Sequence, residues 1–257
     1  NLEISRELSL SKWNFIFGPR FFKLGLREID RKFWREKKLV REIFFAKLES
    51  LRKQINEKHA HTNGSSSAST EERKNLIELL VEQTEGLPDL EIVSQIFTFF
   101  FAGTDTTSEL LSLAHYMLAT HPDAQAKLRE EVLSVAGKTG DIRYEHVMKM
   151  EYMTAVIKET LRMGAPATGI VPRLVINPFS VGDIELRKGD VVNVTLTGVG
   201  YNTKYFNNPK EFRPERWIEK SEPGTIDTST HLPFSAGGRR CIGEQLSLIE
   251  SKILLCE

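Results

Sequence analysis

The sequence predicts a mainly α-helical fold with a small antiparallel β-sheet. No proline occurs between Pro19 and residue 58, and this stretch is rich in charged and aromatic residues, which favours helices. Prolines at 88 and 122 then bracket a largely apolar segment that, if wholly helical, would extend roughly 50 Å. Short runs of β-branched residues cluster between Val171 and Leu196, so the predicted sheet is minor.

The composition is that of a globular chain with room for one sizeable core. It has 257 residues, of which 40% are hydrophobic, and a formal net charge of zero, which argues against a dedicated nucleic-acid binder. Two cysteines are too few for a disulfide framework, and a thiol that binds metal must stay reduced, so we expect a reducing compartment. The apolar run from Ile92 to Leu118 is interrupted by polar residues, and we interpret it as a buried helix rather than a membrane span.

Two N-terminal features allow more than one interpretation. Residues 31–45, RKFWREKKLVREIFF, mix basic and aromatic side chains. They suit either a membrane-surface helix or a solvated helix whose aromatic stripe faces the core, and periodicity favours the second. Residues 58–72 are rich in Ser, Gly and Thr and are predicted to form a flexible linker, in which we expect His59 and His61 to be solvated.

The remaining elements follow from their boundary residues. A central helix is predicted at about 88–120, a second helix from Pro122 that ends at Gly137, and one or two more between Tyr144 and Met163, the last at about 152–163. Three strand-like runs follow, VPRLVI, FSVGDIEL and DVVNVTL, separated by Asn, Pro, Gly and Lys. The stretch from Tyr201 to Pro223 is rich in turn residues and is predicted to be irregular.

Residues 234–243, FSAGGRRCIG, have the composition of a metal-binding thiolate loop. Glycines allow the backbone to approach a flat partner, and two arginines place positive charge beside Cys241. The helical pattern that begins at Glu244 places Cys241 at or just before a helix N-terminus, where the helix dipole and free N–H groups favour an anion. We therefore expect Cys241 to favour its thiolate form.

Three other interpretations of this loop each require particular residues or a particular context. A phosphate-binding loop needs Lys and Ser or Thr after Gly243, where the chain has Glu244 and Gln245. A zinc site needs closely spaced cysteines, whereas Cys256 lies outside any CxxC pair. The third interpretation, a buried and inert cysteine, is the ordinary one for a lone Cys without further context.

The central helix contains AGTDTT, residues 102–107, which is an unusual interior sequence for a helix. Glycine costs about 1 kcal/mol relative to alanine there, and threonine hydroxyls can bond to carbonyls one turn back and bend the helix. We expect a local bulge that opens a groove for a small diatomic ligand and water. Further along, Glu159 and Arg162 are three residues apart and share a helix face.

In this order and spacing, these motifs resemble those of the cytochromes P-450. The loop matches the family's haem-binding loop at Phe234, Gly237, Arg239, Cys241 and Gly243. AGTDTT is similar to the oxygen-activating motif, KETLR to the ExxR motif, and FRPERW to the segment that supplies its third member, Arg216. The resemblance implies the cytochrome P-450 fold, with residues 1–257 as a single partial domain from the C-terminal half of a eukaryotic microsomal-type member.

The resemblance also implies roles for individual residues. Cys241 would be the axial thiolate of haem b, iron protoporphyrin IX, with Phe234 near its sulfur, and thiolate ligation favours O–O cleavage. Around the haem, the resemblance implies propionate partners Arg239 and Arg173 and further haem-binding positions Gly237, Gly243 and Ala102. For the chemistry, it implies a hydroxyl that hydrogen-bonds dioxygen, Thr106, and an acid that supplies protons, Asp105. It also implies a structural network of Glu159, Arg162 and Arg216 and a substrate-facing stretch of Gly169, Ile170 and Val171.

The implied activity is that of a haem-thiolate monooxygenase acting on a hydrophobic small molecule. Dioxygen would be the oxidant. Electrons would have to come from another protein, because no nucleotide-binding glycine motif follows a strand here, and the resemblance implies an NADPH-dependent flavoprotein reductase as their source. The resemblance further implies membrane association through an N-terminal segment, at the cytosolic face of the endoplasmic reticulum. Two alternatives stay open: a haem-thiolate isomerase or dehydratase, whose members generally lack the acid and threonine pair, and a truncated fragment without independent activity.

Overall fold

The computed structural model describes residues 28–62, 76–83, 86–137, 142–219 and 230–257. They form two compact units that divide between Phe100 and Phe101. Helices dominate both units, and short antiparallel strands occur in the second, as the sequence predicts.

The first unit contains helices α1 (Glu28–Thr62), α2 (Leu76–Gln83) and the first part of α3 (Asp89–Thr120). Each helix has apolar residues three or four positions apart, so each has one apolar face, and these faces pack together because that removes them from water. The buried members of this core are Leu48, Ile55, Val81, Ile92, Val93 and Ile96.

Helix α1 tests the N-terminal predictions in part. Phe44 and Phe45 pack against the first core, and Phe44 makes edge contacts with Phe97 and Phe100 at ring-centroid distances of 5.7 and 5.9 Å. The core-facing interpretation is therefore right for these two aromatics, while Leu39 and Ile43 are exposed. α1 continues to Thr62, into the segment expected to be a linker. Residues 63–72 and the side chains of His59 and His61 lie outside the described part.

The second unit begins with the rest of α3 and continues through α4 (Pro122–Ala136), α5 (Tyr144–Lys149) and α6 (Glu151–Met163). α4 has proline at its start, and the Gly137 amide donates to the Leu133 carbonyl at its end, in agreement with the predicted boundaries. The later helices are α7 (Leu196–Gly200), α8 (Arg216–Glu219) and α9 (Glu244–Leu255). A short 3-10 turn, Gly237–Arg239, precedes α9.

The core of the second unit is built around α6, which is buried along most of its length. The other contributions come from α3, α4, α9 and the turn-rich segment before α8. Its buried members are Leu110, Leu118, Ala124, Leu128, Met150, Met153, Val156, Ile157, Leu161 and Phe212. Because α6 carries both Glu159 and Arg162, this core fixes the position of both side chains.

The strands form two small sheets rather than one. β1 (Arg173–Leu174) pairs antiparallel with β4 (Val191–Val192), and β2 (Phe179–Val181) pairs antiparallel with β3 (Ile184–Leu186). A bend at residues 176–177 separates β1 from β2, and Pro178, which has no amide hydrogen, cannot continue the ladder.

Helix α3 differs from two expectations. It is α-helical throughout from Asp89 to Thr120, so the bulge expected at residues 102–107 is absent. The threonine hydroxyls can bond to the preceding turn without interrupting the helix. Only one face is buried, along Thr107, Leu110, Ala114 and Leu118 in the second unit, while Tyr116 on another face is exposed. Among the described helices, none combines the length and the apolar character needed to cross a bilayer.

Candidate functional site

The cysteine loop, residues 234–243, is closed by hydrogen bonds between its own backbone groups. The Cys241 amide donates to the Phe234 carbonyl at 2.8 Å, and the Arg240 amide donates to the Gly237 carbonyl at 3.1 Å. Phe234 packs against the core of the second unit, whereas the Cys241 side chain is exposed. Gly243 is the N-cap of α9, so Cys241 lies two residues before the helix cap. The loop therefore presents its thiol from a fixed backbone frame.

The glycines leave open surface on this frame. Gly237 has a φ of +70°, a left-handed conformation that favours glycine. A Cβ atom added at Gly237 or Gly238 would meet nothing within 4 Å, and one added at Gly243 would lie 3.9 Å from the Cys241 sulfur. A flat group thus has room to approach the backbone beside the thiol.

The two arginines of the loop are placed differently. Both side-chain oxygens of Glu244 accept hydrogen bonds from Arg240, at 2.5 Å from Nε and 2.7 Å from Nη2. Arg239 is exposed, and within the described residues no hydrogen bond or ion pair engages its guanidinium. Arg239 is therefore the one of the two that is available to a ligand carboxylate, which a guanidinium can bind through two parallel hydrogen bonds.

The second cysteine has a different environment. Cys256 is half-buried, its sulfur lies 3.6 Å from that of Met150, and burial raises the pKa of the Cys256 thiol. A raised pKa disfavours the thiolate that metals bind. Among the described residues, no group of three or more His, Cys, Asp or Glu side chains is arranged to hold a metal ion. Cys241 is thus the better placed of the two thiols to act as a metal ligand.

The AGTDTT segment places its polar groups on different sides of α3. Ala102, Asp105 and Thr106 are exposed, and the Thr106 hydroxyl donates to the Ala102 carbonyl at 2.7 Å. Thr107 is 5% exposed, and its Oγ1 lies 3.2 Å from the Ser247 Oγ on α9. This contact joins α3 to the helix that follows the cysteine loop. Ser247 was not among the predicted site residues, although it shares one helical face with Leu248, Ser251 and Leu255.

Glu159, Arg162 and Arg216 come together in the core, with all three side chains at 0% exposure. Arg162 binds the Glu159 carboxylate through Nε at 2.9 Å and Nη2 at 2.8 Å, and Arg216 Nε reaches Glu159 Oε1 at 2.9 Å. The other three guanidinium hydrogens of Arg162 go to the backbone carbonyls of Gly200, Pro209 and Glu211, and Arg216 also donates to the carbonyls of Asn207 and Glu211. A buried charge network is tolerated only when its hydrogen bonds are satisfied in this way.

Trp217 and His231 connect this network to the cysteine loop. Neither was among the predicted site residues. The Trp217 indole donates to Glu159 Oε2 at 2.9 Å, and its ring lies 4.5 Å, centroid to centroid, from that of His231. His231 is three residues before Phe234, the first residue of the loop. The position of Trp217 directly after Arg216 was the available signal, but its partner could not be identified from spacing.

Arg173, the second predicted propionate partner, and the predicted substrate-facing residues lie on the strand segment. Arg173 is exposed on β1, and no hydrogen bond or ion pair between described residues joins it to the cysteine loop. Gly169 forms an isolated bridge with Thr195, and the Ile170 amide donates to the Val194 carbonyl at 2.9 Å. A Cβ at Gly169 would lie 2.9 Å from the Asn193 side chain and 3.1 Å from the Val194 carbonyl. The pairing leaves Val171 71% exposed.

Comparisons with known proteins give a consistent result. The family model for cytochrome P450 matches residues 2–257. Cytochrome P450 3A31 of Mesocricetus auratus is 40% identical over 171 residues, covering 66% of this chain and 34% of that protein. Cytochrome P450 3A13 of Mus musculus is 38% identical, and cytochrome P450 3A5 of Homo sapiens 37% identical, each over 174 residues that cover 68% of this chain and 34% of the relative. The chain thus matches about a third of the length of these relatives.

Proposed function

This chain belongs to the cytochrome P450 family, and we propose that it supplies the haem-binding part of a monooxygenase that inserts one atom of dioxygen into a hydrophobic substrate. One observation carries the proposal: the exposed Cys241 thiol on a loop closed by its own backbone, with open glycine surface and with Arg239, which has no partner among the described residues, beside it.

The loop suits haem b in both the chemistry and the space it offers. Cys241 would supply the thiolate ligand, and Arg239 would bind one of the cofactor's carboxylates, with Arg173 as a further partner. Gly237 and Gly238 keep the surface beside the sulfur free of side chains. When bound, haem supplies the redox chemistry for reducing dioxygen and cleaving its O–O bond, which a thiolate ligand favours.

Thr106 and Asp105 would deliver protons. Cleavage of dioxygen with loss of water consumes protons, so a donor has to reach the reacting oxygen. The Thr106 hydroxyl is held at 2.7 Å from the Ala102 carbonyl, which fixes its rotamer, and the Asp105 carboxyl is exposed next to it in the chain. In this proposal Asp105 takes up a proton from solvent and gives it to the Thr106 Oγ1, whose own hydrogen turns from the Ala102 carbonyl to the reacting oxygen. Ala102 leaves room for the cofactor.

The substrate would be apolar and would meet the segment Gly169, Ile170 and Val171. This segment is held extended by its pairing with the chain around Val194, so its small and aliphatic groups are fixed in place. Electrons would come from an NADPH-dependent flavoprotein reductase, and the complete protein would lie at the cytosolic face of the endoplasmic reticulum membrane.

The proton-delivery role of Thr106 is tested by Thr106→Ala in the complete haem-loaded protein, supplied with reductase and NADPH. We expect the reduced carbon monoxide spectrum to be unchanged while a larger fraction of the electrons from NADPH appears as hydrogen peroxide, because the proton donor is lost. The matched control is Thr98→Ala, since Thr98 on the same helix also bonds the carbonyl one turn back at 2.7 Å. Unchanged peroxide release in Thr106→Ala would remove the assigned role.

The same preparation separates oxygen insertion from peroxide rearrangement. A monooxygenase consumes NADPH and dioxygen together with its substrate, whereas an isomerase or dehydratase needs no external reductant. If the purified protein rearranged an organic peroxide and never consumed NADPH, the monooxygenase proposal would be wrong.

A further inference from the structure

Thr107 differs from its neighbours on α3 in where its hydroxyl points. Six other serine and threonine hydroxyls of α3 donate to carbonyls of the same helix three or four residues back: Ser94, Thr98, Thr106, Ser108, Ser112 and Thr120. These bonds are local and place no other element. The Thr107 hydroxyl instead meets Ser247 on α9, which is 140 positions away in the sequence.

The contact is placed where it can set the position of α3 relative to α9. Thr107 begins the buried stripe of α3 that continues through Leu110, and Leu110 is a member of the core against which Leu248 of α9 packs. Apolar contacts of this kind are non-directional, so they tolerate small sliding and rotation of one helix against the other. A hydrogen bond between two short side chains does not tolerate such movement, because it weakens steeply as its distance and angle change.

Both ends of the contact adjoin the proposed site. Thr106 precedes Thr107 by one residue, so the rotation of α3 that aims the Thr107 hydroxyl at Ser247 also fixes where Thr106 projects. On α9, Ser247 lies in the first turn, and its amide donates to the carbonyl of the N-cap Gly243 at 2.9 Å. Gly243 in turn is two residues from Cys241.

We propose that Thr107 and Ser247 are a positioning pair that holds the Thr106 hydroxyl in register with the Cys241 thiol. The inference rests on the proposed function, since it concerns how the proton donor is aligned with the haem ligand. Neither residue of the pair needs to touch cofactor or substrate; each acts by placing its neighbour.

The pair is tested with Thr107→Val, Ser247→Ala and the double variant in the complete haem-loaded protein. Valine keeps the shape of threonine, and alanine is well tolerated in a helix, so Ser247→Ala folds even if the buried valine proves disruptive. Thr107→Ser keeps a hydroxyl and is the conservative variant. Ser251→Ala is the matched control, because Ser251 is one turn further along α9, is fully buried, and has no hydrogen-bond partner among the described residues.

Two readouts are measured for each variant. The first is amide hydrogen exchange in residues 102–110 of the ferric protein, which we expect to be about fivefold faster in Thr107→Val and Ser247→Ala, as the loss of one net hydrogen bond allows. The second is the fraction of NADPH electrons released as peroxide, which we expect to rise in the same variants. The double variant should match the single variants, and Thr107→Ser and Ser251→Ala should match the parent protein.

The proposal is overturned if both single variants show the same amide exchange and the same peroxide fraction as the parent. It is also overturned if Ser251→Ala changes either readout as much as Ser247→Ala does. Failure of the proposed function has a different signature. In that case the parent protein itself lacks the thiolate-type carbon monoxide spectrum, while the exchange experiment still decides whether the pair holds α3 to α9.

Discussion

His231 is a residue whose ionisation the fold controls closely. Burial, together with the nearby positive charges of Lys158 and Arg162, lowers the pKa of His231 to about 3 from its ordinary value of 6.5. The neutral ring packs in a tilted orientation against Trp217, whose indole donates to Glu159. The segment that leads into the cysteine loop is therefore joined to the buried charge network through a side chain that has to stay unprotonated.

This environment predicts a contribution of His231 to acid stability. Between pH 6.5 and about 3 the unfolded chain binds a proton at His231 that the folded chain does not bind, so the free energy of unfolding falls as the pH is lowered through this range. His231→Phe keeps an aromatic ring beside Trp217 and removes the titration. We expect the slope of unfolding free energy against pH to decrease by about 1.4 kcal/mol per pH unit in this range.

The measurement is chemical unfolding of the two proteins at a series of pH values between 7 and 3, followed by Trp fluorescence. Parallel curves for the parent and His231→Phe would contradict the partly buried, neutral state assigned to this histidine.

At the scale of elements, α6 carries the network that binds the turn-rich segment before α8. Glu159 accepts hydrogen bonds from Arg162, Arg216, Trp217 and the Arg213 amide, so one carboxylate links α6 to residues 213–217. Arg162 meanwhile donates to carbonyls at Gly200, Pro209 and Glu211. An irregular segment with little sheet or helix of its own thus obtains its backbone partners from a single helix.

Glu159→Gln is predicted to destabilise the fold strongly, because it leaves two guanidinium groups buried without a counter-charge. We expect a loss of about 3–5 kcal/mol in the free energy of unfolding and poor haem retention. Lys127→Gln is the control: it breaks the Lys127–Glu215 ion pair, in which Lys127 is 56% exposed, and solvent-exposed pairs of this kind contribute little to stability. Similar urea midpoints for the two variants would contradict the importance given to burial.

The sequence predicted helices better than the contacts between them. Apolar periodicity and end signals located α4 and α6 to within a residue, since these are local properties. Trp217 and the carbonyl partners of Arg162 could not be found in this way, because they depend on how residues 200–213 fold back onto α6. The φ of +64° at Ser235 could not be predicted either, because the residue at this position is not a glycine.

At the scale of the whole molecule, the site joins segments that are far apart in the sequence. Residues 102–107, 159–162, 213–217 and 231–247 belong to one compact unit and are linked by hydrogen bonds and a ring contact. The motifs and the resemblance predicted the residues of the candidate site and a role for each. Neither identified the Thr107–Ser247 contact, because a serine on an amphipathic helix gives no local sign of its partner.

The account depends most directly on Cys241 as the ligand of haem iron. The decisive measurement is the carbon monoxide spectrum of the reduced, complete protein in three forms: the parent, Cys241→Ser and Cys256→Ser. We predict the red-shifted Soret band of thiolate ligation in the parent and in Cys256→Ser, because the Cys256 thiol of the parent packs against Met150. We predict the loss of this band in Cys241→Ser. A Cys241→Ser protein that kept the red-shifted band would contradict the account.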